Sequence, residues 1–223
     1  DVPLEAMIDK EPITIVCSDK GWIRSMKGHM EKTGDLKYKE GDRERFVLHA
    51  ETTDKILLFA TDGRFYTIPA DRLPGGRGNG QPIRFFIDLE EGHDIVALFI
   101  HKPGRKLLVA SRTGHGFIVP EDEVVALRRP GKQTINVSGD NEACACAIVD
   151  GDHIAVIGEN RKLLLFKIDD VPEMGRGKGV RLQKYKDGGL SDVKTFSLKE
   201  GLTIFDRSGR ARSFTKTELK DWM

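Results

Sequence analysis

"LLFATDGRFYTI" (residues 57–68) reads as a β-hairpin in miniature. An apolar run enters Thr61-Asp62-Gly63, and a second apolar run leaves it. Glycine sits where a tight turn needs a positive φ. Four other stretches align with it on the turn: "IVCSDKGWIRSM" (15–26), "LVASRTGHGFIV" (108–119), "AVIGENRKLLLF" (155–166) and "TIFDRSGRARSF" (203–214). The turn residues are then Gly21, Gly63, Gly114, Asn160 and Gly209, spaced by 42, 51, 46 and 49 residues. Asn160 is expected to replace glycine at positive φ. Four residues before the turn stand Cys17, Phe59, Ala110, Val156 and Phe205; five after it stand Met26, Ile68, Val119, Leu165 and Phe214.

Five hairpin units at this period predict an all-β, propeller-like array. Each unit buries little alone, so the units must stack about a common axis. The approximate blades are 11–52, 53–100, 101–148, 149–194 and 195–223, within one domain of residues 1–223. No long stretch keeps a helical period; the best helical candidate is "TKTELKDW" (215–222).

Each second strand leads into a short acidic link, "ADRLP", "EDEVV" or "IDDVP", and then into a Gly-rich basic loop. The loops read "PGGRGNGQPIR", "RRPGKQTINV" and "EMGRGKGVRL". Counted from the turn residue, Gly78 lies 15 on, Gly131 lies 17 on and Gly177 lies 17 on. "MKGHMEKTG" is a weaker version in the first unit. The stretch from Met174 to Lys186 reads as a flexible loop carrying five cations and no acid. A P-loop is excluded because no G-K-[ST] opens a helix, and a dinucleotide fingerprint because no crossover helix follows. Glycine lets backbone amides approach an anion, and Arg and Lys add charge-assisted hydrogen bonds to phosphate. Three equivalent loops therefore predict a track for a long polyanion.

The net charge is only +1, but the charges segregate. Cations without acids fill 20–30, 72–87, 101–119, 128–139, 174–186 and 207–217, while acids gather at 121–123, 140–142, 150–152 and 169–173. A neutral total can hide a basic stripe. The candidate DNA contacts are Arg24, Lys27, Arg77, Arg84, Arg129, Lys132, Arg176, Lys178, Arg181, Lys184, Arg210 and Arg212. Protein docking on a propeller platform is the alternative function.

Other classes find little support. No apolar run spans a bilayer, and the start "DVPLEAMIDK" has neither signal-peptide character nor an initiator Met, which suggests a fragment of a longer chain. Cys17, Cys144 and Cys146 read as reduced core thiols of a cytosolic protein. The six histidines show no metal spacing, and no serine or tyrosine stands in a nucleophile context. Trp22 and Trp222 are expected to seal a blade or tether a terminus rather than stack on bases.

"EPITIVCSDKGWIRSMKGH", "LKYKEGD", "LPGGRGNGQPIR" and "MGRGKGVRL" carry a specific resemblance that extends over essentially the whole chain. The sequence resembles the C-terminal β-pinwheel domains of the A subunits of bacterial topoisomerase IV, relatives of the gyrase A C-terminal domain. The resemblance implies blades that exchange strands with their neighbours in an open or closed ring. It also implies a basic perimeter that binds and bends duplex DNA. The domain would then be non-catalytic: the cleaving tyrosine, and the sites for ATP and Mg, would belong to other parts of the enzyme, leaving no cofactor here. The enzyme's B subunit, reached through the N-terminal part, and chromosome-organising proteins are implied partners, in a cytoplasmic, nucleoid-associated setting. Gyrase A carries a Q-R-R-G-G-K-G type box; here Gly75-Gly76-Arg77-Gly78 and Gly175-Arg176-Gly177-Lys178-Gly179 are partial echoes. That departure favours topoisomerase IV, with a gyrase A domain of degenerate box as the second alternative.

Overall fold

The computed structural model describes residues 7–75, 77–206 and 208–223. Gly76 of the partial box and Arg207 of the last basic cluster, like residues 1–6, lie outside the described residues. Strands are numbered in chain order. Five antiparallel hairpins recur: β1 (Pro12–Ser18) with β2 (Trp22–Lys27), β4 (Lys55–Ala60) with β5 (Arg64–Pro69), β8 (Lys106–Ser111) with β9 (His115–Pro120), β12 (His153–Gly158) with β13 (Leu163–Lys167), and β16 (Leu202–Phe205) with β17 (Ala211–Phe214). A return strand pairs with the first strand of its own hairpin in four of them: β3 (Glu44–Glu51), β7 (Ile95–Ile100), β11 (Ala143–Ile148) and β15 (Leu190–Phe196). The first three hairpins bury runs of consecutive, mostly apolar side chains, as strands covered on both faces do, with Ile15, Phe59, Phe65, Leu108 and Phe117 fully enclosed.

Three two-residue strands complete the outer edges: β6 (Gln81–Pro82), β10 (Lys132–Gln133) and β14 (Val180–Arg181). The sheet orders are β3-β1-β2-β6, β10-β5-β4-β7, β11-β8-β9-β14, β13-β12-β15 and β16-β17. Each short strand follows one hairpin yet closes the sheet of the hairpin before it. That is strand exchange between successive blades, the feature implied by the resemblance and invisible in the hydropathy pattern.

The chain forms two compact units. One holds Asp1–Phe59, Phe65–Lys102 and Val125–Lys132; the other holds Ala60–Arg64, Pro103–Val124 and Gln133–Met223. In the second unit, Leu108, Ala110, Ile118, Ile154, Val156, Leu182 and Val193 form one core, and Ala155, Leu165, Phe196, Leu202 and Leu219 another.

The acidic links fold as 3-10 turns at Ala70–Arg72, Glu121–Val124 and Ile168–Asp170. The first amide of each donates back to the residue ahead of the hairpin, at Asp54 (2.9 Å), Arg105 (2.8 Å) and Asp152 (2.9 Å). Glu121 is fully buried and pairs with Arg105 at 2.9 Å. The last link is the helix α1 (Lys216–Lys220), opened by a capping box between Thr215 and Glu218. The thiols are free, and burial pushes those of Cys17 and Cys144 up to about 12.

One turn differs from the expectation. Gly21, Gly63, Gly114 and Gly209 do hold positive φ, each donating its amide to the residue three before at 2.9–3.0 Å. In the fourth hairpin that position belongs to Arg161, with φ 65 and a 3.0 Å bond to the Gly158 carbonyl. Asn160 works through its side chain instead. Its Oδ1 accepts the Lys162 amide at 3.0 Å, as Asp62 Oδ1 accepts the Arg64 amide at 3.0 Å. The fourth unit therefore shifts by one residue, and the aligned apolar pair is Ile157 and Phe166 rather than Val156 and Leu165.

Candidate nucleic-acid interface

The Gly-rich loops are exchange segments first. Gly80, Gly131 and Gly179 each stand one residue before β6, β10 and β14, all at positive φ. A Cβ on them would lie 2.2 Å from the Ile23 carbonyl oxygen, 2.4 Å from that of Phe65 and 2.4 Å from that of Gly116. Those three acceptors occupy the same place, two residues beyond the hairpin turn. The equivalent glycines are therefore Gly80, Gly131 and Gly179, not Gly78, Gly131 and Gly177. Their smallness serves contact between backbones.

The turn glycines receive the same segments. The Gly21 carbonyl accepts the Ile83 amide (2.9 Å), that of Gly63 the Thr134 and Ile135 amides (3.0 and 3.1 Å), and that of Gly114 the Leu182 and Gln183 amides (2.7 and 3.3 Å). Ile83, Ile135 and Leu182 then bury their side chains.

Instead of a free loop, the 174–186 stretch is held by backbone bonds from Met174 to Gln183. Met174 N bonds the Ile118 carbonyl at 2.8 Å, Gly177 N bonds that of Thr134 at 3.0 Å, and Leu182 N bonds that of Gly114 at 2.7 Å. Parallel bridges join Ile118 to Glu173 and Ile135 to Gly177. This rigid path leaves Arg176, Lys178, Arg181, Lys184 and Lys186 exposed. Arg181 stands in register with His115, and Arg176 Nε lies 3.4 Å from Asn136 Oδ1. His115 donates or accepts at Thr113 Oγ1 through Nδ1 (3.0 Å). Its pKa lies below the usual histidine value through desolvation, then through the positive charges of Lys178 and Arg181. His115 and Asn136 were not among the candidates. The position of His115 just past a hairpin turn would have pointed to it only with the exchange register known.

Two candidates are instead built into the scaffold, and a third, Arg129, is exposed but paired. Arg24 is 5% exposed; its guanidinium donates to the Gly78 carbonyl and to that of Lys37 at 2.8 Å. Arg84 donates to the carbonyls of Leu89 (3.0 Å) and His93 (2.8 Å). Arg129 pairs with Asp88 at 3.0 Å and donates to the Phe85 carbonyl at 2.7 Å. Burial of the Arg24 guanidinium corrects its reading as a surface DNA contact. Arg24→Ala should cost about 2–3 kcal/mol, since two carbonyls lose charge-assisted donors. Urea denaturation measures this, and the salt dependence of DNA binding should stay unchanged.

Lys27, Arg77 and Lys132 are exposed on the first unit, and Arg210 and Arg212 on the last hairpin, where Arg212 lies 5.2 Å from the Phe214 ring. Trp22 is capped by Lys39 Nζ at 3.6 Å from its ring, and Trp222 meets Phe214 edge-on. Among the described residues no group of three or more His, Cys, Asp or Glu could hold a metal ion, and no helix is long and apolar enough to cross a membrane.

The repeat also matches a family model described as "DNA gyrase C-terminal domain, beta-propeller", over residues 54–102, 105–149 and 152–190. The chain belongs to the gyrase C-terminal domain family. Each matched segment of this gyrase-family chain opens within two residues of a hairpin's first strand and contains its exchange loop in full. The A subunit of DNA topoisomerase 4 from Caulobacter vibrioides is 47% identical over 223 residues, covering 100% of this chain and 29% of the relative. The protein of the same name from Rickettsia conorii is 49% identical over 201 residues, covering 90% of this chain and 27% of the relative. The chain thus spans under a third of the length of the curated relatives it matches. Among solved structures, the E. coli ParC C-terminal domain superposes with a TM-score of 0.82 at 28% identity, covering 95% of this chain and 89% of that one.

Proposed function

We propose that this domain binds duplex DNA through the exposed cations that its exchange loops hold in place. One observation carries the reading: a stretch with five cations and no acid is held by backbone bonds from Met174 to Gln183, and its charges still face solvent. A positioned guanidinium or ammonium loses little freedom on meeting a phosphate. Positioning without base-reading geometry suits sequence-independent binding. The family and the names of the relatives support the same reading. Equilibrium binding to unrelated duplexes at stepped salt tests it: the affinities should match one another and fall steeply with salt. No duplex binding, with capture of a protein partner that depends only weakly on salt, would instead favour protein docking on this propeller.

His115 gives a second signature. After desolvation, the charges of Lys178 and Arg181 hold its pKa down, and a phosphate beside them would offset that second part. The bound state then takes up a proton, so affinity should rise as pH falls through the histidine range. In the free protein the sign is opposite. A depressed histidine pKa contributes stability above the unfolded value, which is lost as pH falls through the folded one. His115→Gln should flatten the pH dependence of affinity while keeping duplex binding at pH 8. An unchanged pH profile would remove phosphate from this corner of the surface.

The finer steps belong to the whole enzyme. The domain bends a duplex and presents a segment to a cleavage core carried elsewhere in the enzyme, without catalytic groups or cofactor of its own. Mg and ATP are used by the rest of the enzyme, which includes the B subunit, in the cytoplasm and at the nucleoid. Deleting the domain should leave DNA cleavage intact and slow relaxation of supercoiled circles; equal relaxation rates would contradict segment presentation.

A further inference from the structure

Two exchange loops are gripped by the same pair of bonds, each drawn from an aspartate or asparagine of the preceding exchange segment. Asp88 donates its amide to the Arg129 carbonyl at 2.9 Å, and its Oδ1 accepts Arg129 Nε at 3.0 Å. Asn136 donates its amide to the Gly177 carbonyl at 2.8 Å, and its Oδ1 accepts Arg176 Nε at 3.4 Å. The two carbonyls are equivalent, each standing two residues before an exchange glycine, Gly131 or Gly179. The arginines are one place apart, and Asp88 and Asn136 lie eight and five residues after Gly80 and Gly131. The match is therefore one of bonding rather than of sequence. At the third such carbonyl, that of Gly78, the donor is the Arg24 guanidinium instead.

The two grips differ in charge. Asp88 and Arg129 form an ion pair at 3.0 Å, with both side chains about half exposed. A carboxylate that close offsets the guanidinium for any polyanion arriving from solvent. The Arg129 fork is further occupied, since Nη1 donates to the Phe85 carbonyl at 2.7 Å and Nη2 to that of Arg84 at 3.2 Å. Asn136 offers the same oxygen without a charge. Its longer contact fits a neutral acceptor, because charge-assisted bonds are the shorter ones. Arg176 is exposed and keeps its full charge. A bond at Nε steadies its fork and leaves the two Nη groups for a bidentate phosphate contact.

We propose that the residue making this grip selects the role of the arginine it holds: Asn136 is a positioning residue that presents Arg176 to a DNA phosphate, and Asp88 withholds Arg129 from the same polyanion. The inference rests on the duplex-binding reading above and extends it to two residues that carry no positive charge. Both amides make the same bond to the loop, so the choice between carboxylate and carboxamide edits the charge of the track without moving the main chain.

The test exchanges the two groups in the 223-residue chain, as Asn136→Asp and as Asp88→Asn. Both side chains are exposed and both swaps are isosteric, so urea midpoints should hold. Asn136→Asp should weaken duplex binding about fivefold near 0.1 M salt and make the log–log salt slope shallower by about 0.9, the loss of one phosphate contact. Asp88→Asn should act in reverse, with binding up to about fivefold tighter and a slope steeper by up to about 0.9. Any change of surface charge shifts affinity, so the arginine Nε–H resonances supply the specific readout. On addition of a duplex, the Arg176 resonance should move in the unchanged chain and that of Arg129 should not. In Asn136→Asp the Arg176 response should be lost; in Asp88→Asn an Arg129 response should appear. Unchanged slopes, or two arginines that respond alike in all three proteins, would overturn the selection and leave the DNA reading standing. An unchanged chain that binds no duplex would remove that reading, and the proposal with it.

Discussion

Gly80→Ala should destabilise the domain by about 3–5 kcal/mol, while Gly78→Ala, two residues away in the same loop, should cost about 1–2 kcal/mol. The two glycines share a φ of +87, so the left-handed backbone penalty is common to both. They differ in what a methyl group meets. At Gly78 nothing lies within 4 Å; at Gly80 the Ile23 carbonyl oxygen lies at 2.2 Å and its carbon at 2.7 Å. Both obstacles are backbone, so relief requires lifting β6 from β2. That movement breaks the Ile83-to-Gly21 hydrogen bond and withdraws buried Ile83 from its site. Urea unfolding curves measure the difference. Equal losses at the two positions would show that the loop glycines answer to φ alone, and that exchange contributes little to stability.

The second large effect is on binding. Arg176, Lys178 and Arg181 are exposed, and the loop that bears them is held by main-chain bonds, so replacing all three with alanine should leave stability within about 0.5 kcal/mol. Duplex affinity should fall about a hundredfold near 0.1 M salt, because three phosphate contacts and their counterion release disappear together. Gly63→Val acts on both properties. Its Cβ would meet the Ile135 carbonyl oxygen at 2.1 Å, so it displaces the segment that follows Lys132 as well as straining the turn. The turn glycines therefore do not separate stability from binding, as their φ values alone suggest.

The hairpins were legible in the sequence because they are local. Gly21, Gly63, Gly114 and Gly209 punctuate apolar runs, and only glycine fits their φ cheaply. The fourth turn misled by one residue because Asn160 can serve a turn in two ways, by φ or by its side-chain oxygen, and composition does not say which. Strand exchange was not readable from periodicity, since a two-residue strand such as Val180–Arg181 has no period. Only the resemblance implied it. The cations were legible as a charge pattern but not by role. Arg24 and Arg77 look alike in sequence, yet the carbonyls of Gly78 and Lys37 converge on Arg24 from 54 and 13 residues away and draw it into the interior. His115 became a candidate only when the exchange register set Arg181 opposite it.

The most direct test of the central claim, that exchange loops hold a cationic surface for duplex DNA, is the slope of log affinity against log salt. It should be measured for the unchanged domain, for Arg176→Ala/Lys178→Ala/Arg181→Ala, and for Arg24→Ala. Removing one phosphate contact should reduce the slope by about 0.9, so the triple variant should be shallower by up to about 2.7. Arg24→Ala, read at a temperature where it is folded, should keep the slope of the unchanged domain. A triple variant that folds and keeps the full slope would contradict the claim, and would leave the pinned loop as a strand-exchange device alone.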